Sequence, residues 1–407
     1  MPSNPPATRT RRTARAALLV VAVAVALFVL LGQLTAVLPV GFWSPVLSVL
    51  ALQLPMLLLS IVRDTFGSWN IVLAALALAV GLLTLRRRSG RRRLPVAVTA
   101  LSGTALLLTL ITTTVQVFSV HGATGDWFVF SPASPAKAAG RGPDRTVTYA
   151  TFGGQQLKAD LYLPKTKAAA PLVVSIHGGG FISGSRGPTP YTGWLADQGY
   201  AVLDVDYRLA TATRHTWNTA DADVGCALTW ATAHASQYGL DMDRVATFGG
   251  SAGGNLAVNV AYKADAGRLK PSCGTAAQLP KVKAVIGSYP VVDMTASVPD
   301  SAYGGQVADE YVGGSPARYP ERFRAVDAAN QIGPDAPPTL ILQGSRDHLV
   351  FSGHTKAFAD RLTAAGVPHR YVELPFLEHA YDQSSVGIGT KATRALMLPW
   401  LRKYVGS

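Results

Sequence analysis

Hydrophobic positions along this chain fall into two regimes. In the first 120 residues they run almost unbroken. Ala16–Val40 has no charge over 25 residues, Pro45–Val62 spans 18, Trp69–Leu85 spans 17 and Leu94–Phe118 spans 25. About 20 apolar residues cross a hydrocarbon core, so the first and last runs are predicted spans. The middle two are at the limit, and Pro55 interrupts the second. Core helices are seldom so long or so uniformly apolar. A cleaved signal peptide fits the first run poorly, because further runs follow and no small-x-small site ends it.

After residue 145 the pattern shortens. Apolar, β-branched runs occur at Thr146–Thr151, Lys158–Pro164, Leu172–Ile176, Ala201–Tyr207, Val245–Phe248, Ala284–Tyr289, Thr339–Gln343 and Arg370–Leu374. Helical stretches at Thr219–Gln237, Ala252–Ala264, Thr355–Ala365 and Thr390–Tyr404 alternate with them. This predicts an α/β fold: a mainly parallel sheet of about eight strands with helices on both faces. In such a sheet the ligand site lies beyond the carboxyl ends of the strands. Ser131–Arg145, rich in Pro, Ala and Gly, reads as a linker. The expected plan is a membrane-spanning region over 1–120, a linker over 121–145 and one folded domain over 146–407. No repeat of fixed period is present.

Charge changes this picture in one respect. The 407 residues carry a net +13, which alone could point to nucleic acid. Yet residues 1–93 hold 11 Arg and a single acid, Asp64, whereas the remainder is close to neutral. Arginines flanking apolar runs are a membrane signature, and no nucleic-acid-binding motif is recognisable. The clusters Arg9, Arg11, Arg12, Arg15 and Arg86, Arg87, Arg88, Arg91, Arg92, Arg93 are both expected in the cytoplasm. An even number of crossings must then separate them, which makes the Pro55 run re-entrant or interfacial unless one cluster breaks the rule. The last span then carries everything after about residue 120 outward. A channel or transporter is disfavoured, because the only acid in the spans is Asp64.

The chemistry appears where the strands end. Gly249-Gly250-Ser251-Ala252-Gly253-Gly254 follows the run Arg244–Phe248 and precedes a helical stretch. This is G-x-S-x-G in a strand–turn–helix setting, where a serine hydroxyl is exposed on a sharp turn above helix N–H groups. The competing reading is a serine-capped glycine turn. His177-Gly178-Gly179-Gly180-Phe181 follows the Leu172–Ile176 strand. Its glycines leave N–H groups open to a developing oxyanion, and it lacks the features of a phosphate loop. The expected oxyanion hole is formed by the N–H groups of Gly179, Gly180 and Ala252, with His177 shaping the loop. Serine needs a base, and the base needs a carboxylate. The chain order Ser…Asp…His points to Asp347 after Thr339–Gln343 and His379 after Arg370–Leu374. Rival acids are Asp293 and Glu378; rival histidines are His348 and His354.

These motifs resemble the α/β-hydrolase superfamily, in its hormone-sensitive-lipase-like esterase branch, over about 146–407. Asp206-Tyr207-Arg208-Leu209 and Asp221-Ala222-Asp223 are also similar to that branch. The resemblance implies carboxylic ester hydrolysis through an acyl-enzyme, with no metal and no cofactor. One departure is Gly250, where the branch usually has Asp; this leaves room for the related feruloyl- and acetyl-esterase-like group. An envelope acyltransferase, a peptidase with the same triad and a non-catalytic binding protein are the alternatives.

Phe181, Tyr191, Trp194 and Trp217 are candidates for the substrate pocket. The long Gly-, Pro- and Tyr-rich segment 294–338 is the candidate lid. Cys226 and Cys273 are expected to form a disulfide if the domain lies outside the cytoplasm. The expected partners are a small-molecule or lipid ester and the bilayer. The oligomeric state leaves no trace in the sequence.

Overall fold

The computed structural model describes residues 6–86, 93–128, 140–166, 168–274 and 278–406. Residues 129–139 of the expected linker, Arg87, Arg88, Arg91 and Arg92, and the side chains of Arg9, Arg11 and Arg12 lie outside the described residues.

The N-terminal part is helical: α1 (Pro6–Val37), α2 (Leu50–Phe66), α3 (Trp69–Arg86) and α4 (Arg93–Thr124). Three of these, α1, α3 and α4, are long and apolar enough to cross a membrane. The Pro45–Val62 run differs. It breaks into short turns followed by the 17-residue α2, which buries Gln53, Met56, Leu57, Ser60, Arg63 and Asp64 along one face. Leu52, Leu54 and Leu58 on its other face are exposed. α1 and α3 are antiparallel, since Arg15 near the start of α1 donates to the Thr84 carbonyl near the end of α3 (2.9 Å).

The eight predicted runs form one sheet of β1 (Arg145–Phe152), β2 (Gln155–Tyr162), β3 (Ala170–Ile176), β4 (Ala201–Val205), β5 (Leu240–Gly250), β6 (Val282–Ser288), β7 (Thr339–Gly344) and β8 (His369–Leu374). Their order is β1-β2-β4-β3-β5-β6-β7-β8. Only the β1–β2 and β2–β4 pairs are antiparallel; the rest are parallel. A parallel strand covered on both faces is a near-continuous apolar run, and every residue of β3, β4 and β7 is buried, including the polar Ser175, Asp204, Thr339 and Gln343.

Alternate residues of each strand feed two cores. Leu172, Val174 and Leu203 face α6 (Ala220–Ala233), α7 (Ala252–Asp265) and α10 (Ser352–Ala364). Val173, Val202 and Phe248 face α5 (Thr192–Asp197) and α11 (Ile388–Tyr404). The segment 294–338 is not the loop expected. It forms a series of short helical turns, among them α8 (Ala302–Val307) and α9 (Pro320–Val326), and Tyr311, Val312, Phe323 and Val326 bury into the first core. Glycine and proline cut the helical pattern there into pieces too short to show a period.

Cys226 in α6 and Cys273 beyond α7 are joined by a disulfide, with Cα atoms 5.7 Å apart. It closes a loop of 47 residues, which corresponds to about 2–4 kcal/mol of stabilisation through the unfolded chain. Thiol titration of the denatured protein should find no free thiol before reduction and two after it. Replacing both cysteines by serine should lower the thermal midpoint.

Candidate active site

Ser251 lies between β5 and α7 with φ 56° and ψ −123°. A non-glycine residue in this region costs about 1–3 kcal/mol and persists only where its surroundings hold it. Here its N–H donates to the Ser288 carbonyl (3.0 Å) and its carbonyl accepts from Asn255 (3.0 Å). The turn is closed by near contact of two backbones. A Cβ on Gly253 would lie 2.1 Å from the Ile176 carbonyl, so only glycine lets α7 begin against the end of β3.

The other two ends of the site come from later strands. His379 Nε2 is 2.8 Å from Ser251 Oγ, and His379 Nδ1 is 2.9 Å from Asp347 Oδ2. Asp347 is fully buried. Its Oδ1 accepts from the Leu349 and Val350 N–H groups (2.9 and 2.7 Å), and its Oδ2 also accepts from Gln343 Nε2 (2.9 Å). These bonds leave the carboxylate one orientation. Burial disfavours the His379 cation, but the Asp347 carboxylate outweighs it and holds the pKa above the usual imidazole value.

The rival residues have other partners. Glu378 Oε1 accepts from the His348 and His379 N–H groups (2.7 and 2.9 Å), and its Oε2 is 2.6 Å from His348 Nδ1. Burial opposes that charge, yet His348 and the backbone donors hold Glu378 below the usual carboxylate range. His348 and Glu378 therefore clamp the Asp347 and His379 loops together. His354 meets Asp300 of the lid segment (2.6 Å), and Asp293 caps a turn by accepting from Ala296 N–H (3.0 Å).

Facing Ser251, Gly179, Gly180 and Phe181 are all left-handed, at φ 116°, 61° and 64°. The loop closes on itself through Ile182 and Ser183 N–H bonds to the Gly179 carbonyl. His177 stacks on Tyr207 with ring centroids 4.3 Å apart, and burial lowers its pKa. Ala252 is the first residue of α7, where an N–H has no partner within the helix.

Two cavities meet at Ser251. One of about 480 Å³ is lined by His177, Gly179, Tyr191, Tyr289, His379 and Asp382, among others. Tyr191 and Tyr289 hydroxyls donate to opposite oxygens of the Asp382 carboxylate (2.7 and 2.5 Å), whose pKa is raised by burial. The other, of about 40 Å³, is apolar; Phe181, Met294, Val307 and Leu349 are part of its wall. Phe181 and Tyr191 thus line cavities, but Trp194 and Trp217 do not. Trp194 packs into the core under α11, beneath the Arg394 guanidinium (5.2 Å). Trp217 packs against the opposite core and faces Arg322 (5.3 Å). Proximity in sequence to the glycine loop was the wrong guide for Trp194, and so was proximity to the Asp221 helix for Trp217. Tyr289 and Asp382 escaped notice because the first ends a run read as strand and the second lies three residues past His379.

The BD-FAE family model matches residues 159–362, which is half of the chain. The chain belongs to the BD-FAE family. The matched residues include Ser251 and Asp347 and end before His379. Among curated proteins, esterase LipC of Mycobacterium tuberculosis is 32% identical over 223 residues, 52% of this chain and 53% of its own length. Esterase LipI of the same organism is 31% identical over 251 residues, 58% of this chain and 73% of its own. The chain spans about half the length of the first curated relatives it matches. Esterase B of Lactobacillus rhamnosis superposes with a TM-score of 0.53 at 25% identity, covering 65% of this chain and 87% of that one. The sheet domain has the α/β-hydrolase fold.

For this member of the BD-FAE family, Gly250 has a local explanation. A Cβ there would lie 2.8 Å from the Tyr289 hydroxyl and 2.9 Å from its ring. Tyr289, held by Asp382 and set edge-on to His379 with centroids 4.7 Å apart, occupies the space that a side chain would need. Gly250→Asp should therefore lower the thermal midpoint, at a cost of about 1–3 kcal/mol from overpacking. In the double variant with Tyr289→Ala the losses should be less than additive.

Proposed function

We propose that the protein is a membrane-anchored serine hydrolase that cleaves carboxylic esters of short or medium acyl chains outside the cytoplasm. The observation that carries this reading is the continuous hydrogen-bonded line Ser251–His379–Asp347, 2.8 and 2.9 Å at its two links. His379 Nε2 takes the Ser251 proton as Oγ attacks the ester carbonyl, and Asp347 holds the tautomer and stabilises the imidazolium. The N–H groups of Gly179, Gly180 and Ala252 receive the oxyanion. The alcohol leaves with a proton from His379. Water, activated by the same imidazole, then attacks the acyl-enzyme and releases the acid. The small apolar cavity receives the acyl chain and the larger one the alcohol.

The helices support an orientation. Arg15, Arg86 and Arg93 lie at one end of the bundle. At the other end, Arg346 Nε donates to the Ala36 carbonyl of α1 (2.9 Å) and Arg370 to the Ala123 carbonyl of α4 (2.8 Å). With α2 not spanning, two crossings separate the arginine clusters, and α4 exits on the side opposite to them. An oxidised cysteine pair suits that side.

Ser251→Ala should lower kcat on p-nitrophenyl butyrate by about 10⁶-fold and abolish fluorophosphonate labelling; near-normal hydrolysis by this variant would overturn the assignment. p-Nitrophenyl acetate and butyrate should turn over faster than the palmitate. The base must be neutral, and its pKa is raised. Activity should therefore fall as pH drops through a value above 6.5. Asp347→Asn removes the charge that raises it, so the acid limb of its residual kcat/KM profile should move to lower pH.

A further inference from the structure

The first 93 residues hold one acid, Asp64, and one arginine outside the two terminal clusters, Arg63. They are neighbours on α2, and both are about 4% exposed. Charges are buried only when something compensates them. Arg63 Nε and NH2 donate to Asp64 Oδ1 (2.9 and 2.7 Å). The remaining capacity is not spent within α2. Arg63 NH1 donates to the Gly32 carbonyl of α1 (3.3 Å), and NH2 donates to the Phe376 carbonyl (2.8 Å). Asp64 Oδ2 accepts the Glu378 N–H (2.8 Å). Phe376 and Ala380 are both left-handed, at φ 61° and 53°, so the segment that presents His379 is strained at both ends. Such a segment needs external restraint, and the pair supplies it three and one residues before the base. The Asp347 side is seated on α1 and on the turn between α1 and α2. Arg346 bonds to the end of α1, and Trp43 packs edge-on to His348 at 6.3 Å.

We propose that Arg63 and Asp64 are positioning residues for His379, which makes the membrane region a structural part of the active site. A tether would need only a linker. Here the loop carrying the base takes its conformation from a helix some 314 residues upstream. The proposal rests on the reading of Ser251 and His379 as nucleophile and base.

The test uses the full-length protein in lipid nanodiscs. Its variants are Asp64→Ala, Asp64→Asn, Arg63→Gln and Ser251→Ala, assayed on p-nitrophenyl butyrate. Asp64→Ala and Arg63→Gln should each lower kcat about 10- to 100-fold, the scale of a misplaced catalytic group, with KM within about twofold. Asp64→Asn keeps an acceptor for the Glu378 N–H and should recover most of the rate lost in Asp64→Ala. A wild-type kcat in folded Asp64→Ala, or a raised KM with unchanged kcat, overturns the proposal. If Asp64→Ala does not fold, Arg63→Gln decides by the same criteria. If the wild type lacks activity, or Ser251→Ala retains it, the functional reading itself falls, an outcome distinct from a normal Asp64→Ala rate.

Discussion

The site depends on one buried carboxylate that touches neither substrate cavity. Glu378 accepts N–H bonds from both His348 and His379 and pairs with the His348 ring. It thereby joins the loop that carries Asp347 to the loop that carries His379. The two loops follow adjacent parallel strands, whose register fixes their spacing only as far as the strands run. Beyond the last paired residues, the Ser345 and Arg346 N–H groups still donate to the Leu374 and Leu377 carbonyls (2.9 and 3.0 Å), and Glu378 carries the link on to Asp347 and His379. The effect of such a buried pair is on geometry: removing one partner leaves buried hydrogen-bonding groups of the other unsatisfied, at a cost of about 1–3 kcal/mol, so the loops have few alternative arrangements.

Much of the fold was legible from the sequence because its signals are local. Each central strand is a short apolar run, covered on both faces, and each reads as such without knowledge of its neighbours. Ser251, the glycine loop, Asp347 and His379 are marked by positions just beyond strand ends, which topology places at one edge of the sheet. What stayed hidden needs contacts between distant residues. Nothing near Glu378 in sequence indicates that it faces His348. Nothing near Asp64 indicates a partner beyond residue 370. The lid segment read as loop because its helices are single turns broken by glycine and proline. Trp194 and Trp217 were assigned to a pocket by sequence proximity, but their side chains enter the two cores, on opposite faces of the sheet.

The second hydrophobic run shows how composition and placement separate. It is nearly apolar enough to be counted with the spans, yet it is followed at once by Arg63 and Asp64, the only interior charged pair of the N-terminal region. The helix it forms turns Gln53, Arg63 and Asp64 to one side. Gln53 accepts from the Tyr303 N–H of the lid segment (3.0 Å), while the other two residues reach the His379 loop. One helix therefore meets both the 294–338 segment and the His379 loop. Tyr303 lines both cavities, so the polar face of α2 backs a residue that borders the space around Ser251.

The contact between Asp64 and Glu378 also has a meaning in time. A ribosome makes the chain from its N-terminus, and domains fold as they emerge. The seat for the His379 loop is complete when α2 has docked on α1, but that loop is synthesised some 314 residues after Asp64. Until it arrives, Ser251 Oγ lacks its bond to His379 Nε2. The geometry around Ser251 is therefore assembled only when a late loop returns to an early helix.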